Sequence, residues 1–213
     1  MRYYPIFLDI AGKPVVVIGG GNIAQQKVVG LLKAAAKVTV ISPELNDEMA
    51  LLKAAGGSFR HVKRNYEPGD LEGYVLAFVA TDDRSVNATV AAEGKERRVW
   101  VNAVDDPPYC DFIMPGIAQQ GDLIVAISTS GTSPAMARKM REEIEAFLTE
   151  DYALMLELAA EVRAELREKG VLVDSETWNR ALDGELRQLL ADGKRGEAKE
   201  RLLRSLSEPV STT

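Results

Sequence analysis

From Lys13 to about Val104, short β-branched apolar runs alternate with longer stretches in which apolar residues recur every three to four positions. The short runs are Val15–Ile18, Val38–Ile41, Phe59–Val62, Val75–Ala80 and Val99–Val104. Each is nearly continuous in apolar residues, as expected of parallel strands covered on both faces. Phe59–Val62 is the weakest of the five. Between them, Ile23–Ala35, Asn46–Ala55 and Ser85–Arg97 predict helices, with Asn46 and Ser85 as caps and Gly56-Gly57 as a stop. Strand and helix in strict alternation predict an α/β fold with a Rossmann-like parallel sheet.

After Asp106 the pattern changes. Pro107-Pro108 interrupts it, and two further strand-like runs, Phe112–Ala118 and Leu123–Ser128, flank the polar turn Gln119-Gln120-Gly121-Asp122. That spacing predicts an antiparallel hairpin. Beyond Ser133-Pro134 the period is helical over Ala135–Leu148, Tyr152–Lys169, Glu176–Ala191 and Glu197–Leu206, and Glu208 to Thr213 read as a loose tail. The divisions fall at residues 1–112, 113–149 and 150–213.

Composition narrows the class. The 213 residues are 46% hydrophobic and 27% charged, enough apolar material for a packed core. Cys110 and His61 are the only residues of their types, so neither a disulfide framework nor a Cys/His zinc cage is expected. No apolar run is long enough for a membrane helix, and the first residues lack the regions of a signal peptide, so a cytoplasmic protein without membrane contact is expected. A formal charge of −6 argues against a nucleic-acid partner, which needs a basic face.

The strongest chemical signal is the run Val15–Ile18 leading directly into Gly19-Gly20-Gly21-Asn22-Ile23-Ala24. This is G-x-G-x-x-A placed between a strand and a helix. Gly19 permits the turn, Gly21 lets a diphosphate approach the backbone, and Ala24 lets helix and strand pack, with the amides of Asn22 and Ile23 at the positive end of the helix. The acid expected about 20 residues on, to hold a ribose, is displaced. The second strand ends in Ser42-Pro43-Glu44, so the Ser42 hydroxyl, the backbone around Pro43 and the Glu44 carboxylate are all candidates, and Glu44 reads equally as first-turn residue of the next helix. No arginine follows this strand, which favours NAD over NADP.

Thr81 closes the fourth run, where ligand-lining residues stand, while Asp82 and Asp83 read as helix caps. Asp105 and Asp106 close the fifth and are either a solvated turn or a source of an acid–base group. The hydroxyl-rich stretch Ser128-Thr129-Ser130-Gly131-Thr132-Ser133 enters a helix at Pro134. Ser128, Ser130, Thr132 and Ser133 are candidates for binding an anionic substrate, with Ser133 also a cap, and Arg138, Lys139 and Arg141 would add positive charge. His61 reads as structural and Cys110 as an inert thiol.

Several of these motifs occur together. Pro5-Ile6-Phe7-Leu8-Asp9, the Gly19–Ala24 turn with Lys27 behind it, Ala80-Thr81-Asp82-Asp83 followed by Asn87, Val101-Asn102-Ala103-Val104-Asp105, Phe112-Ile113-Met114-Pro115 and Ser130-Gly131-Thr132-Ser133-Pro134 follow in this order. As a set they resemble the precorrin-2 dehydrogenase family of sirohaem synthesis, including the N-terminal module of sirohaem synthase, closely over about residues 1–150 and loosely beyond. The resemblance implies a homodimer with an NAD-binding Rossmann domain (1–112), a dimerisation segment of hairpin and helix (113–149) and a helical C-terminal domain (150–213). It implies oxidation of precorrin-2, a tetrapyrrole, to sirohydrochlorin with NAD as acceptor, and for some members insertion of ferrous iron to give sirohaem. It ties the aspartate of Asn-x-Val-Asp, here Asp105, to catalysis and to transient metal handling. A serine reported as phosphorylated in the fused synthase corresponds to Thr129, so that modification is not carried over. No methyltransferase module lies within the 213 residues, so a separate uroporphyrinogen methyltransferase is expected upstream. A reading of another class is an NAD-sensing regulatory module that turns over no tetrapyrrole.

Overall fold

The structure is a computed structural model and describes residues 2–207. The tail expected from Glu208 to Thr213 lies outside the described residues. Internal packing divides the chain into two compact units, one ending at Ile113 and one beginning at Met114.

In the first unit, strands Pro14–Ile18 (β1), Lys37–Ile41 (β2), Phe59–Val62 (β3), Leu76–Val79 (β4) and Trp100–Ala103 (β5) form a parallel sheet in the order β3-β2-β1-β4-β5. Helices Asn22–Lys33 (α1), Asp47–Ala54 (α2) and Arg84–Arg97 (α3) connect or cover them. Val15, Val16 and Val17 are 0% exposed, which is why their run shows no alternation. Val15 and Val17 pack with Val28 and Leu31 of α1 and Met49 of α2, whereas Val16 and Ile18 share the opposite core with Val90 of α3 and Leu71. β3 is an edge strand. It is held by its parallel register, Val38 opposite Phe59, and by burial of Phe59.

The connection from β3 to β4 has little regular structure and is tied to α3 chiefly by one carboxylate. Glu93 of α3 is buried, accepts from the Tyr66 hydroxyl and from the amides of Gly69 (3.0 Å) and Leu71 (3.1 Å), and pairs with Arg97 Nε at 2.8 Å. Burial alone would raise the Glu93 pKa, but these donors and the Arg97 charge outweigh it and hold it below the ordinary glutamate value. At the other edge, Asp111 stands in for a sixth strand: its carboxylate accepts from Val101 N (2.9 Å) and its amide donates to Val101 O (2.8 Å). The edge of β5 is blunted in this way.

In the second unit, Gly116–Gln120 (β6) and Leu123–Ile127 (β7) form the expected antiparallel hairpin, followed by helices Pro134–Phe147 (α4), Glu150–Glu168 (α5), Ser175–Ala181 (α6), Gly184–Ala191 (α7) and Arg195–Ser207 (α8). Leu158, Val162, Leu186 and Leu202 are fully buried at the centre of the α5–α8 cluster. No described helix is long and apolar enough to cross a membrane.

Three expectations need correction. Of the caps read for α3, Asp83 is the one found, accepting from Ser85 N at 2.9 Å, and not Ser85. Phe112 does not begin the hairpin: it packs edge-to-face on Phe78, with ring centroids 5.5 Å apart, as part of the first core. The stretch Glu176–Ala191 is two helices and not one. Asp183 accepts from Leu186 N at 2.9 Å and is tied to Arg201, so it caps a new helix where periodicity alone runs on.

Candidate functional site

Reversal of strand order between β1 and β4 opens a crevice beyond the carboxyl ends of the strands, the place where open α/β sheets bind ligands. Its floor is the glycine turn. Gly19 has φ +118°, and a Cβ there would sit 2.2 Å from Ala80 O, so only glycine allows β1 and β4 to continue side by side. A Cβ on Gly20 would sit 1.9 Å from Glu44 O, because the Pro43–Glu44 backbone lies across the turn. Gly21 differs from both. It has φ −85° as the cap of α1, and a Cβ there would meet no protein atom within 4 Å. The fold therefore does not itself require glycine at position 21, and the space above it is open to a ligand.

No side chain caps α1, its first turn holds no acid, and the amides of Asn22, Ile23 and Ala24 have no acceptor among the described residues. Together with the helix dipole these free amides could hold a diphosphate, so the residues present fit the dinucleotide that the motif implies. Beside it, Asn46 Nδ2 donates to Asn22 Oδ1 (2.8 Å) and Gln25 Oε1 (2.7 Å) while its own carbonyl caps α2, tying α2 to the seat.

At the tip of β2, Ser42 is buried with its hydroxyl 3.2 Å from His61 Nε2, so it is not free to hold a ribose. That bond, with the ring nitrogen 2.9 Å from Ser42 O, gives His61 its structural place. Glu44 and Pro43 are exposed. Glu44 precedes Asn46, the cap of α2, and so does not belong to the first helical turn. At the tip of β4, Thr81 accepts from Asp83 N at 3.0 Å and stays partly exposed.

Past β5, Asp105 is exposed and has φ +59°, a left-handed conformation that aspartate tolerates better than most residues but still at a cost. Asn102 anchors the stretch by donating to Phe112 O at 2.8 Å. Cys110 donates its thiol to Ala103 O at 3.0 Å. Burial, with Asp106 and Asp111 nearby, raises its pKa, as an inert thiol requires.

Lys27 was part of the motif but not of the candidate site. It is half-buried on α1 with its ammonium 5.9 Å from the Phe78 ring centroid, and burial lowers its pKa against the opposing charge of Asp105. The sequence marks Asn46 as the cap of α2 but not its bonds to Asn22 and Gln25, and carries no direct mark of the Phe78–Phe112 pair.

The hydroxyl loop belongs to the second unit. Ser133 caps α4 by accepting from Met136 N at 3.2 Å, Ser128 accepts from Ser130 N at 3.0 Å, and Thr129 bonds both backbone groups of Ser133. Ser130 has φ +55°. Thr132 and Arg138 are exposed, and Arg138 makes no ion pair among the described residues. Arg141 and Lys139 instead face Glu145 (2.6 Å) and Glu143 (3.8 Å) one turn along α4, so they read as solvated helix charges and not as a basic pocket. Among the described residues, no group of three or more His, Cys, Asp or Glu could hold a metal ion.

Comparison with known proteins agrees with this geometry. A family model for NAD(P)-binding domains matches residues 6–116, and one for the central part of sirohaem biosynthesis proteins matches residues 120–146. Siroheme synthase of Methylobacillus flagellatus is 42% identical over 169 residues, 79% of this chain and 36% of its own length. That of Thioalkalivibrio sulfidiphilus is 37% identical over 216 residues, 100% of this chain and 44% of its own. The chain thus spans less than half the length of these relatives. Among solved structures, SirC, a precorrin-2 dehydrogenase, superposes with a TM-score of 0.77 at 26% identity, covering 95% of this chain and 100% of that one. With more than half of its residues matched by the first model and the sirohaem segment following in order, the chain belongs to the NAD(P)-binding family of sirohaem biosynthesis proteins.

Proposed function

We propose that this chain oxidises precorrin-2 to sirohydrochlorin with NAD as the acceptor. One observation carries the reading: the uncapped first-turn amides of α1 and the left-handed Asp105 both lie past the carboxyl ends of strands in one parallel sheet. When bound, NAD supplies the acceptor for a hydride leaving a saturated carbon of the macrocycle.

The chain does the remaining work. The amides of Asn22, Ile23 and Ala24 would hold the diphosphate, with Gly19 setting the turn. The Pro43 backbone and the Glu44 carboxylate would hold the ribose, and Thr81 would contact the nicotinamide end. No arginine follows β2, and Arg64 beyond β3 is committed to Asp70 at 2.6 Å, which favours NAD over NADP. Asp105 takes the proton released as conjugation extends and passes it to water. In the second unit, taken by itself, Ser128, Ser130, Thr132, Ser133 and Arg138 offer donors to a carboxylate. The same Asp105 is the oxygen donor that ferrous iron would meet if sirohydrochlorin is metallated on this chain. The protein acts in the cytoplasm, where the Cys110 thiol stays reduced, on precorrin-2 supplied by a uroporphyrinogen methyltransferase. It works as a homodimer formed through residues 113–149.

The test is an anaerobic incubation with precorrin-2 and NAD, followed by absorbance. Reduced nicotinamide and sirohydrochlorin form in equal amounts if the proposal holds. Tight NAD binding with neither product favours the sensing module instead. Ferrous iron added after oxidation is complete, with and without protein, reads any sirohaem formed above the spontaneous rate.

A further inference from the structure

Helix α1 buries Ala24, Val28 and Leu31, a stripe at spacings of four and three. Lys27 falls on that stripe, three residues after Ala24 and four before Leu31, where a covered helix carries an apolar side chain. A charge at such a position breaks the local rule, and such breaks concentrate at functional sites. The Lys27 ammonium lies over Phe78, whose other neighbour is the Phe112 ring, and makes no ion pair among the described residues. Asp105 acts on it through charge but not through contact. A half-buried cation without a partner is costly, so an anion arriving in the crevice finds it ready.

Two anions are available, the cofactor diphosphate and the substrate carboxylates. The diphosphate has its own seat at the first turn. Lys27 stands five residues beyond Asn22 along α1, about 7.5 Å of helix rise, with its ammonium 5.9 Å from the centroid of the Phe78 ring of β4 and within reach of the Asp105 charge. We infer that Lys27 is a substrate-binding residue that anchors one carboxylate of the tetrapyrrole beside Asp105. The inference rests on the function proposed above and adds a residue to it.

The alternative role is purely structural: a lysine stem covering Phe78. Lys27→Met keeps that stem and removes the charge, and Lys27→Arg keeps the charge. Titration of each protein with metal-free sirohydrochlorin, read by the pigment's absorbance, and separately with NAD, decides between them. Lys27→Met is expected to weaken sirohydrochlorin binding by about tenfold or more, the value of one charge-assisted hydrogen bond, and to raise the KM for precorrin-2. NAD affinity stays at the wild-type value, the melting temperature does not fall, since a costly buried charge is removed, and Lys27→Arg recovers most of the loss. Unchanged sirohydrochlorin affinity in Lys27→Met overturns the inference, as does a loss confined to NAD. If the wild-type protein binds NAD but no sirohydrochlorin, the proposed function fails first and the role of Lys27 falls with it.

Discussion

Asp105 takes a backbone angle that costs most side chains about 1 kcal/mol or more, at the point where β5 gives way to the crevice. Asparagine tolerates the same conformation, so Asp105→Asn separates geometry from proton transfer. Its melting temperature and NAD affinity are expected to match wild type, while kcat for precorrin-2 oxidation falls about 100-fold or more, the usual range for loss of a general base. Steady-state kinetics beside a thermal melt check both. Glu93 sits at the structural end of the same logic. Glu93→Ala leaves the Tyr66 hydroxyl, the Gly69 and Leu71 amides and Arg97 without their acceptor, and should cost about 3 kcal/mol by urea unfolding at neutral pH. Because the folded pKa of Glu93 is depressed, its contribution is complete above the unfolded glutamate value and is lost as pH falls through the lower folded one. The gap between wild type and Glu93→Ala should therefore narrow below about pH 4.3. A gap that stays constant into acid contradicts this.

Among the elements, the glycine turn joins fold and site, and its members separate by substitution. Gly20→Ala drives a Cβ into the Glu44 carbonyl and should destabilise the protein by about 2 kcal/mol, as overpacking does. Gly21→Ala meets nothing in the protein, costs under about 1 kcal/mol as an altered cap, and yet should weaken NAD binding by about tenfold or more, because the methyl occupies the ligand's space. Calorimetric melts with NAD titrations on both variants test the contrast. Equal NAD affinity in Gly21→Ala and wild type would place the diphosphate elsewhere. These elements also mark what a sequence reveals. β1 and α1 were legible because a both-faces-buried strand and an open helix start leave a pattern in consecutive residues. The break between α6 and α7 was not, because Asp183 is a cap only through its bonds to Leu186 N and Arg201 of another helix. Ser42 likewise reads as a ribose contact until His61, nineteen residues away in sequence, is found bonded to it. Lys27 lay in plain view on an apolar stripe, but that it forms no ion pair among the described residues is a property of the packed structure.

For the whole molecule, α4 is the clearest sign of incompleteness. It rests on the hairpin, with Ala137 and Arg141 beside Gly116, but none of its 14 residues is buried. Met136 is 49% and Phe147 60% exposed, and the hairpin adds Ile117 and Ile124 at 40% and 41%. An apolar surface of this kind on a protein with a well-packed core marks an interface, which supports pairing through residues 113–149. Sedimentation equilibrium of the wild type should give twice the chain mass, and the double variant Met136→Glu, Ile124→Lys the single mass with the α/β unit still folded by circular dichroism. An unchanged mass in the double variant removes that surface from the interface.

The proposed function requires that the coenzyme bind at the carboxyl ends of β1 and β4. The structure also has a second hollow of about 560 Å³ at the opposite ends of the strands, lined by Pro14, Lys37, Thr39, Arg60 and Tyr74 among others. Amide NMR during NAD titration distinguishes the two most directly. Saturable shifts are expected at Gly21, Asn22, Ile23 and Ala24, with Lys37, Thr39 and Arg60 unmoved. Shifts at the second group with the glycine turn silent would contradict that placement.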